Sequence, residues 1–282
     1  MIPAPAALAS LVPFASPLAA GDPLSHVLKH EIFSFSGYSV TNHLVMLIVA
    51  ALLLMIVIPI VARKQSLVPK GFRNALEAIM QYIREEVARP ALGHATDRFM
   101  PLLWTFFFLI LTANLLGMIP FGALAGLATG DVHFMHWVGG TATGNLAITA
   151  GLALVAFFAI HVSGMKTQGV GHYWNNFFFG HAPMALAPLM VPLEIIGALV
   201  KPFALAVRLF ANMTAGHLVL AVVGGFAVLG IMAGGAMLGV SFAAIVGAVA
   251  ISMLELFVAF LQAYIFTFLT TLFIAAAIHT EH

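Results

Sequence analysis

Five ionisable side chains lie inside two long apolar stretches near the C-terminal end of the chain: Glu194, Lys201, Arg208, His217 and Glu255. An arginine at the centre of a bilayer costs about 2.5–3.5 kcal/mol on insertion scales. Each such group therefore needs a partner, a water-lined cavity or a way to reach the surface. Their spacing is regular. Glu194, Lys201 and Arg208 follow one another in steps of seven residues, close to two helical turns each, so they share one stripe of a helix. Asn212, four residues beyond Arg208, stays near that stripe. His217 is nine beyond Arg208, which turns it to the opposite side of the helix, roughly 13.5 Å along the axis. On the next apolar stretch Glu255 and Gln262 are seven apart and share a face.

If the two stretches run antiparallel, the step from His217 back to Arg208 runs beside the step from Glu255 on to Gln262. The steps are roughly 13.5 Å and 10.5 Å, so the spacing predicts His217 near Glu255 and Arg208 near Gln262. An imidazole beside a carboxylate at membrane depth can relay protons. The plainer reading is that these charges only pair with one another to hold the helices together. That suffices for an isolated pair, and less well for Arg, Glu, His, Glu, Asn and Gln in register. Lys201 precedes Pro202 and suits a snorkelling role towards the inner surface.

The elements that must carry these residues are membrane helices. Of 282 residues, 62% are hydrophobic and 7% are charged, too few charges to cover a soluble domain of this length. A net charge of +1 gives no sign of a nucleic-acid or acidic partner. The chain contains no cysteine, which excludes thiol chemistry and Cys-based metal sites. Residues 1–42 read as an outer-side extension. Within it Leu8 to Ala20 is apolar and Ala19-Ala20-Gly21 could be cleaved, but the basic segment of a signal peptide is missing. Residues 43–62 form the first span. Residues 70–90 form an amphipathic inner-surface helix, with Phe72, Leu76, Ile79, Met80, Ile83 and Val87 on its apolar face. Residues 100–163 form a helical hairpin, followed by a polar and aromatic connector from Gly164 to His181.

Residues 182–282 hold the two long apolar segments, with Gly224 to Gly239 reading as the turn between them. About forty helical residues would reach about 60 Å, twice the hydrocarbon thickness. Pro188, Pro192 and Pro202 permit a break in the first segment, whereas Ala248 to Ile278 has neither Gly nor Pro. The expected fold is all-α and integral to the membrane: five membrane-embedded helices plus one surface helix, the last two long, tilted and antiparallel. Seven Lys and Arg follow the first span and Lys166 lies in the next inner connector, against Lys29 alone on the other side. This places the N-terminus outside and the C-terminus inside.

The run Pro202-Phe203-Ala204-Leu205-Ala206-Val207-Arg208-Leu209-Phe210-Ala211-Asn212-Met213-Thr214-Ala215-Gly216-His217 closely resembles the signature of subunit a of F-type ATP synthases. Asn114-Leu115-Leu116-Gly117-Met118-Ile119-Pro120 resembles that family's second characteristic run, and Leu261-Gln262-Ala263-Tyr264-Ile265-Phe266 its third. The resemblance implies a proton-translocating stator subunit with two offset half-channels. These would load and unload the carboxylates of a rotating c-subunit ring, coupling proton flow to rotation and ATP synthesis. It implies the c ring, peripheral-stalk b subunits, the remaining ATP synthase subunits and membrane lipid as partners. It implies no cofactor and no catalytic site in this chain. A bacterial plasma membrane is the expected location.

By resemblance, Arg208 matches the arginine that faces the ring and Glu194 the acid of the inner half-channel. Gln262 matches the glutamine beside the arginine, and Asn212 an asparagine of the motif. Some bacterial members carry Glu where this chain has His217, and His where it has Glu255. That exchange keeps one imidazole and one carboxylate across the interface.

Two other readings are open to weigh. A secondary transporter with a substrate site at Arg208 would be expected to show internal repeats, and none is evident. An intramembrane metalloenzyme would need a motif such as His-Glu-x-x-His, which the chain lacks. There is also no phosphate-binding loop ending in Gly-Lys-Ser/Thr, so nucleotide chemistry falls to partners. His133 and His136 beside Asp131, like His26 and His30, read as solvated outer-side residues or lining for an outer entrance. His161, His172 and His181 read as structural.

Overall fold

Helix length and apolarity decide the architecture. The computed structural model describes residues 31–35, 38–63, 70–119, 121, 140–179 and 187–279. Among the described residues five helical stretches are long and apolar enough to cross a membrane, so the chain is an all-α, multi-pass membrane protein. A short antiparallel ribbon, β1 (Glu31–Phe35) and β2 (Tyr38–Thr41), precedes the first helix. It was not foreseen, and such a two-stranded ribbon carries little sequence signal. The remaining extension, including His26 and His30, lies outside the described residues, as do Asp131, His133, His136 and His181.

Helix α1 spans Asn42–Arg63. Helix α2 (Phe72–Tyr82) leads through a π-turn (Ile83–Ala88), the short α3 (Arg89–Leu92) and a 3₁₀ turn (Gly93–Ala95) into α4 (Thr96–Met118). Ile83 and Val87 are buried, while Phe72 at the start of the same apolar stripe is exposed. Helix α5 covers Leu146–Gln168. The polar and aromatic connector is helical over most of its length: α5 continues to Gln168 and α6 spans Val170–Phe179. Gly169, at φ 84°, makes the corner between them, a conformation that favours glycine.

The last two helices are α7 (Ala187–Ala233) and α8 (Met237–Ile278). Helix α7 passes through Pro192 and Pro202 without a break, as membrane helices can when neighbours or local adjustments satisfy the freed carbonyls. The expected turn over Gly224 to Gly239 is corrected: the helix runs through Gly224, Gly225 and Gly230 and the reversal begins at Gly234. Only Gly234 and Gly235 of this series adopt positive φ, at 67° and 57°. Gly230 serves packing instead, because a Cβ there would overlap the Ser241 side chain and the Met237 carbonyl.

The described residues gather into two compact units. The first takes residues up to 50, 113–145 and 210–260, and the second takes 51–112, 146–209 and 261–282. In the first, α7 and α8 pack in antiparallel order. Ser241 Oγ donates to the Ala227 carbonyl at 2.8 Å, a Cβ on Gly247 would touch Val223, and His217 meets Glu255. The second holds the larger apolar core, centred on Leu103, Phe106, Phe107, Leu205, Leu209 and Phe266. Phe106 meets Phe266 edge to face at 5.3 Å, a preferred aromatic geometry.

Candidate functional site

In the first unit His43, Thr141, His217 and Glu255 form one connected file. His217 Nδ1 lies 3.0 Å from Glu255 Oε1. Glu255 is 6% exposed, so its carboxylate is withdrawn from lipid; His217 lies at ion-pair distance, and neither carboxylate oxygen has a hydrogen-bond partner among the described residues. Gly216 makes this approach possible, because a Cβ there would sit 2.8 Å from Glu255 Oε1. On its other side His217 Nε2 meets the Thr141 hydroxyl. The Thr141 carbonyl accepts from His43 Nδ1 at 2.8 Å. Nearby, the Thr143 hydroxyl donates to Asn114 Oδ1 at 2.7 Å, and Asn114 Nδ2 donates to the Ala259 carbonyl at 3.2 Å. Thr141, Thr143, Asn114 and His43 are all buried. Such buried groups are costly unless bonded, and this file satisfies them with one another.

In the second unit Glu194 and Lys201 line a cavity of about 260 Å³ together with His161, Gln168, Tyr173 and Asn176. The lining is mixed, with Phe157, Phe177, Met190 and Phe273 beside these polar groups, and the space is large enough for several waters near the polar ones. The Tyr173 hydroxyl and His161 Nδ1 share a 2.7 Å hydrogen bond. Burial, and secondarily the Glu194 carboxylate, push the Tyr173 phenol above its ordinary range, which keeps it a protonated hydroxyl. Gln168 Nε2 donates to the Ala277 carbonyl at 2.9 Å. The Lys201 ammonium lies 5.3 Å from the Phe273 ring centre, a cation–π distance.

Arg208 is different. Its side chain is exposed, and so are Ala204, Ala211, Asn212 and Ala215 at helical spacing around it. Gln262, by contrast, is 3% exposed.

The sequence-predicted residues thus divide. His217 and Glu255 meet, while Glu194 lines a polar cavity. Arg208 and Asn212 lie on an open helical stripe. Sequence reasoning missed Thr141, His43 and Tyr173 as members of these polar groups, and read His161 as structural only. The partners of the His43–Thr141–His217 file are 98 and 76 residues apart, a separation that no periodicity reports.

Comparison with known proteins settles the family. A family model described as ATP synthase A chain matches residues 43–275. The chain belongs to the ATP synthase A chain family. A relative in Chloroherpeton thalassium, ATP synthase subunit a, is 38% identical over 263 residues, covering 91% of this chain and 72% of its own. ATP synthase subunit a 2 of Chlorobaculum tepidum is 38% identical over 274 residues, covering 90% of this chain and 72% of its own. The ATP synthase subunit a of Anaeromyxobacter dehalogenans is 41% identical over 243 residues, covering 84% of this chain and 58% of its own. In this chain the arginine-centred run lies on α7, and the run that opens at Asn114 begins near the end of α4.

Proposed function

We propose that this chain is the proton-conducting stator subunit of a rotary ATP synthase in a bacterial plasma membrane, with its N-terminus outside and C-terminus inside. The observation that carries this reading is Arg208. It is exposed among exposed apolar neighbours on a membrane-length helix, and among the described residues of its unit it makes no ion pair. A guanidinium facing lipid is expensive. The open stripe around it therefore calls for an anionic partner outside this chain, which a ring carboxylate of the c subunits supplies.

Two offset routes follow from this reading. Glu194 and the polar cavity beside it serve the inner side, and the His217–Glu255 pair serves the outer side. Glu194 and His217 are 23 residues apart on one helix, roughly 35 Å, enough to serve opposite faces. Arg208 lies between them in sequence and pairs with each ionised ring carboxylate as it arrives. Its fixed charge also repels a proton that would pass directly from one route to the other. By resemblance to the family motif, Gln262 and Asn212 belong to the same proton-translocating set as Arg208. The tilt of α7 and α8 fits their excess length into the bilayer.

Glu194→Gln tests the inner route. In inverted vesicles carrying the whole complex, ATP-driven proton pumping falls about tenfold or more, the range for loss of one proton-transfer group. The chain still co-purifies with the c ring and the soluble ATPase subunits. Pumping at the parental rate would remove Glu194 from the path, and a chain that purifies free of a c ring would contradict the reading as a whole.

A further inference from the structure

In the first unit the described side chains include three titratable groups, His43, His217 and Glu255. All three lie on the one file of contacts, and Thr141 joins them. We infer that Thr141, clamped by His43, is the positioning residue that holds His217 in working orientation towards Glu255. This rests on the outer-route reading above and adds residues to it.

Three features of the site support this. First, Thr141 is 2% exposed and its backbone is pinned, because His43 Nδ1 donates to its carbonyl at 2.8 Å. Second, glycines clear the space that the clamp occupies. A Cβ on Gly117 would overlap the Thr141 side chain, and one on Gly140, at φ 98°, would sit 2.9 Å from Asn42 Nδ2 and 3.4 Å from the His43 ring. Third, the two ring nitrogens of His217 have different neighbours. Nδ1 faces the Glu255 carboxylate at 3.0 Å, which favours a proton on Nδ1. Nε2 faces the Thr141 hydroxyl and is left as the nitrogen that gains and loses a proton.

A hydroxyl is the side-chain group suited to that place. It donates to Nε2 when the ring is neutral and accepts from Nε2–H when the ring is charged, changing role by rotation alone. His217 then keeps its Glu255 contact through both states. A space-filling role for Thr141 would require only its shape, which valine reproduces without the hydroxyl.

The test uses inverted vesicles carrying the complete ATP synthase. Thr141→Val lowers ATP-driven proton pumping about tenfold, the scale of one hydrogen bond to a group that becomes charged, and Thr141→Ser restores most of it. In a His217→Ala background Thr141→Val lowers pumping no further, because it acts through His217. His43→Ala lowers pumping in the same direction and adds little to Thr141→Val. Parental pumping by Thr141→Val overturns the inference, and so does a full additional loss in the His217→Ala background. Failure of the Thr141→Val chain to assemble overturns it too, by making the hydroxyl a folding element. The two readings separate at His217→Ala. If that variant pumps at the parental rate, the outer-route reading itself fails. If it is impaired while Thr141→Val is not, only the role of Thr141 falls.

Discussion

Replacing Arg208 with alanine abolishes ATP-driven proton pumping while the complex still assembles. The side chain sits on an open helical stripe, so its loss uncovers no buried core among the described residues. Its proposed work is done against a ring carboxylate. Removing one partner of a desolvated ion pair costs about 3–5 kcal/mol, which corresponds to a loss of about 150- to 5,000-fold. A second effect goes the other way. Without the fixed positive charge, nothing repels a proton crossing from one route to the other. Passive proton leak through vesicles stripped of their ATPase subunits therefore rises in Arg208→Ala. Arg208→Lys keeps the charge and loses the planar fork that binds a carboxylate with two parallel hydrogen bonds, so it blocks the leak better than it restores pumping. Fluorescence quenching of a pH dye measures both effects in one preparation. Coupled pumping by Arg208→Ala would remove the arginine from the mechanism.

The second large effect concerns His217 and Glu255. Their 3.0 Å contact lies on a helix pair where Glu255 is almost fully covered. His217→Glu places two carboxylates together, and Glu255→His places two imidazoles together. Each single variant loses the complementary pair, and each pumps more slowly, by about 2- to 150-fold for the usual coupling energies of about 0.5–3 kcal/mol between residues in contact. The double exchange, His217→Glu with Glu255→His, restores one imidazole and one carboxylate. It recovers much of the rate. The size of that recovery, from a double-mutant cycle on pumping rates, measures the coupling directly. Purely additive losses would mean that the two residues act independently despite their contact.

The approach of His217 to Glu255 was legible in the sequence because it follows from two periodic elements. Both residues sit on long apolar helices, where seven-residue spacing sets the face and antiparallel order sets the register. The turn between those helices was less legible. Gly224, Gly225, Gly230, Gly234, Gly235 and Gly239 look alike as a glycine-rich stretch, yet only Gly234 and Gly235 take positive φ. Gly230 is explained by what faces it, Ser241 and Met237, which composition does not reveal. Thr141 and His43 were harder still. Thr141 lies in a short turn and His43 at the start of α1, so no common period links them, and tertiary packing alone joins them to His217. His161 likewise reads as structural from the sequence, and only the cavity beside Glu194 shows the setting it shares with Tyr173.

The central claim is that the Arg208 stripe faces the ring. The chain has no native cysteine, so a single Ala211→Cys substitution, one turn beyond Arg208 on the exposed stripe, supplies a unique thiol. The decisive measurement is oxidative cross-linking of that thiol, in the assembled complex, to a cysteine placed beside the ring carboxylate. The account predicts a cross-linked product that forms rapidly and stops ATP-driven pumping until it is reduced. No cross-link from Ala211→Cys in a complex that assembles and pumps normally would contradict it.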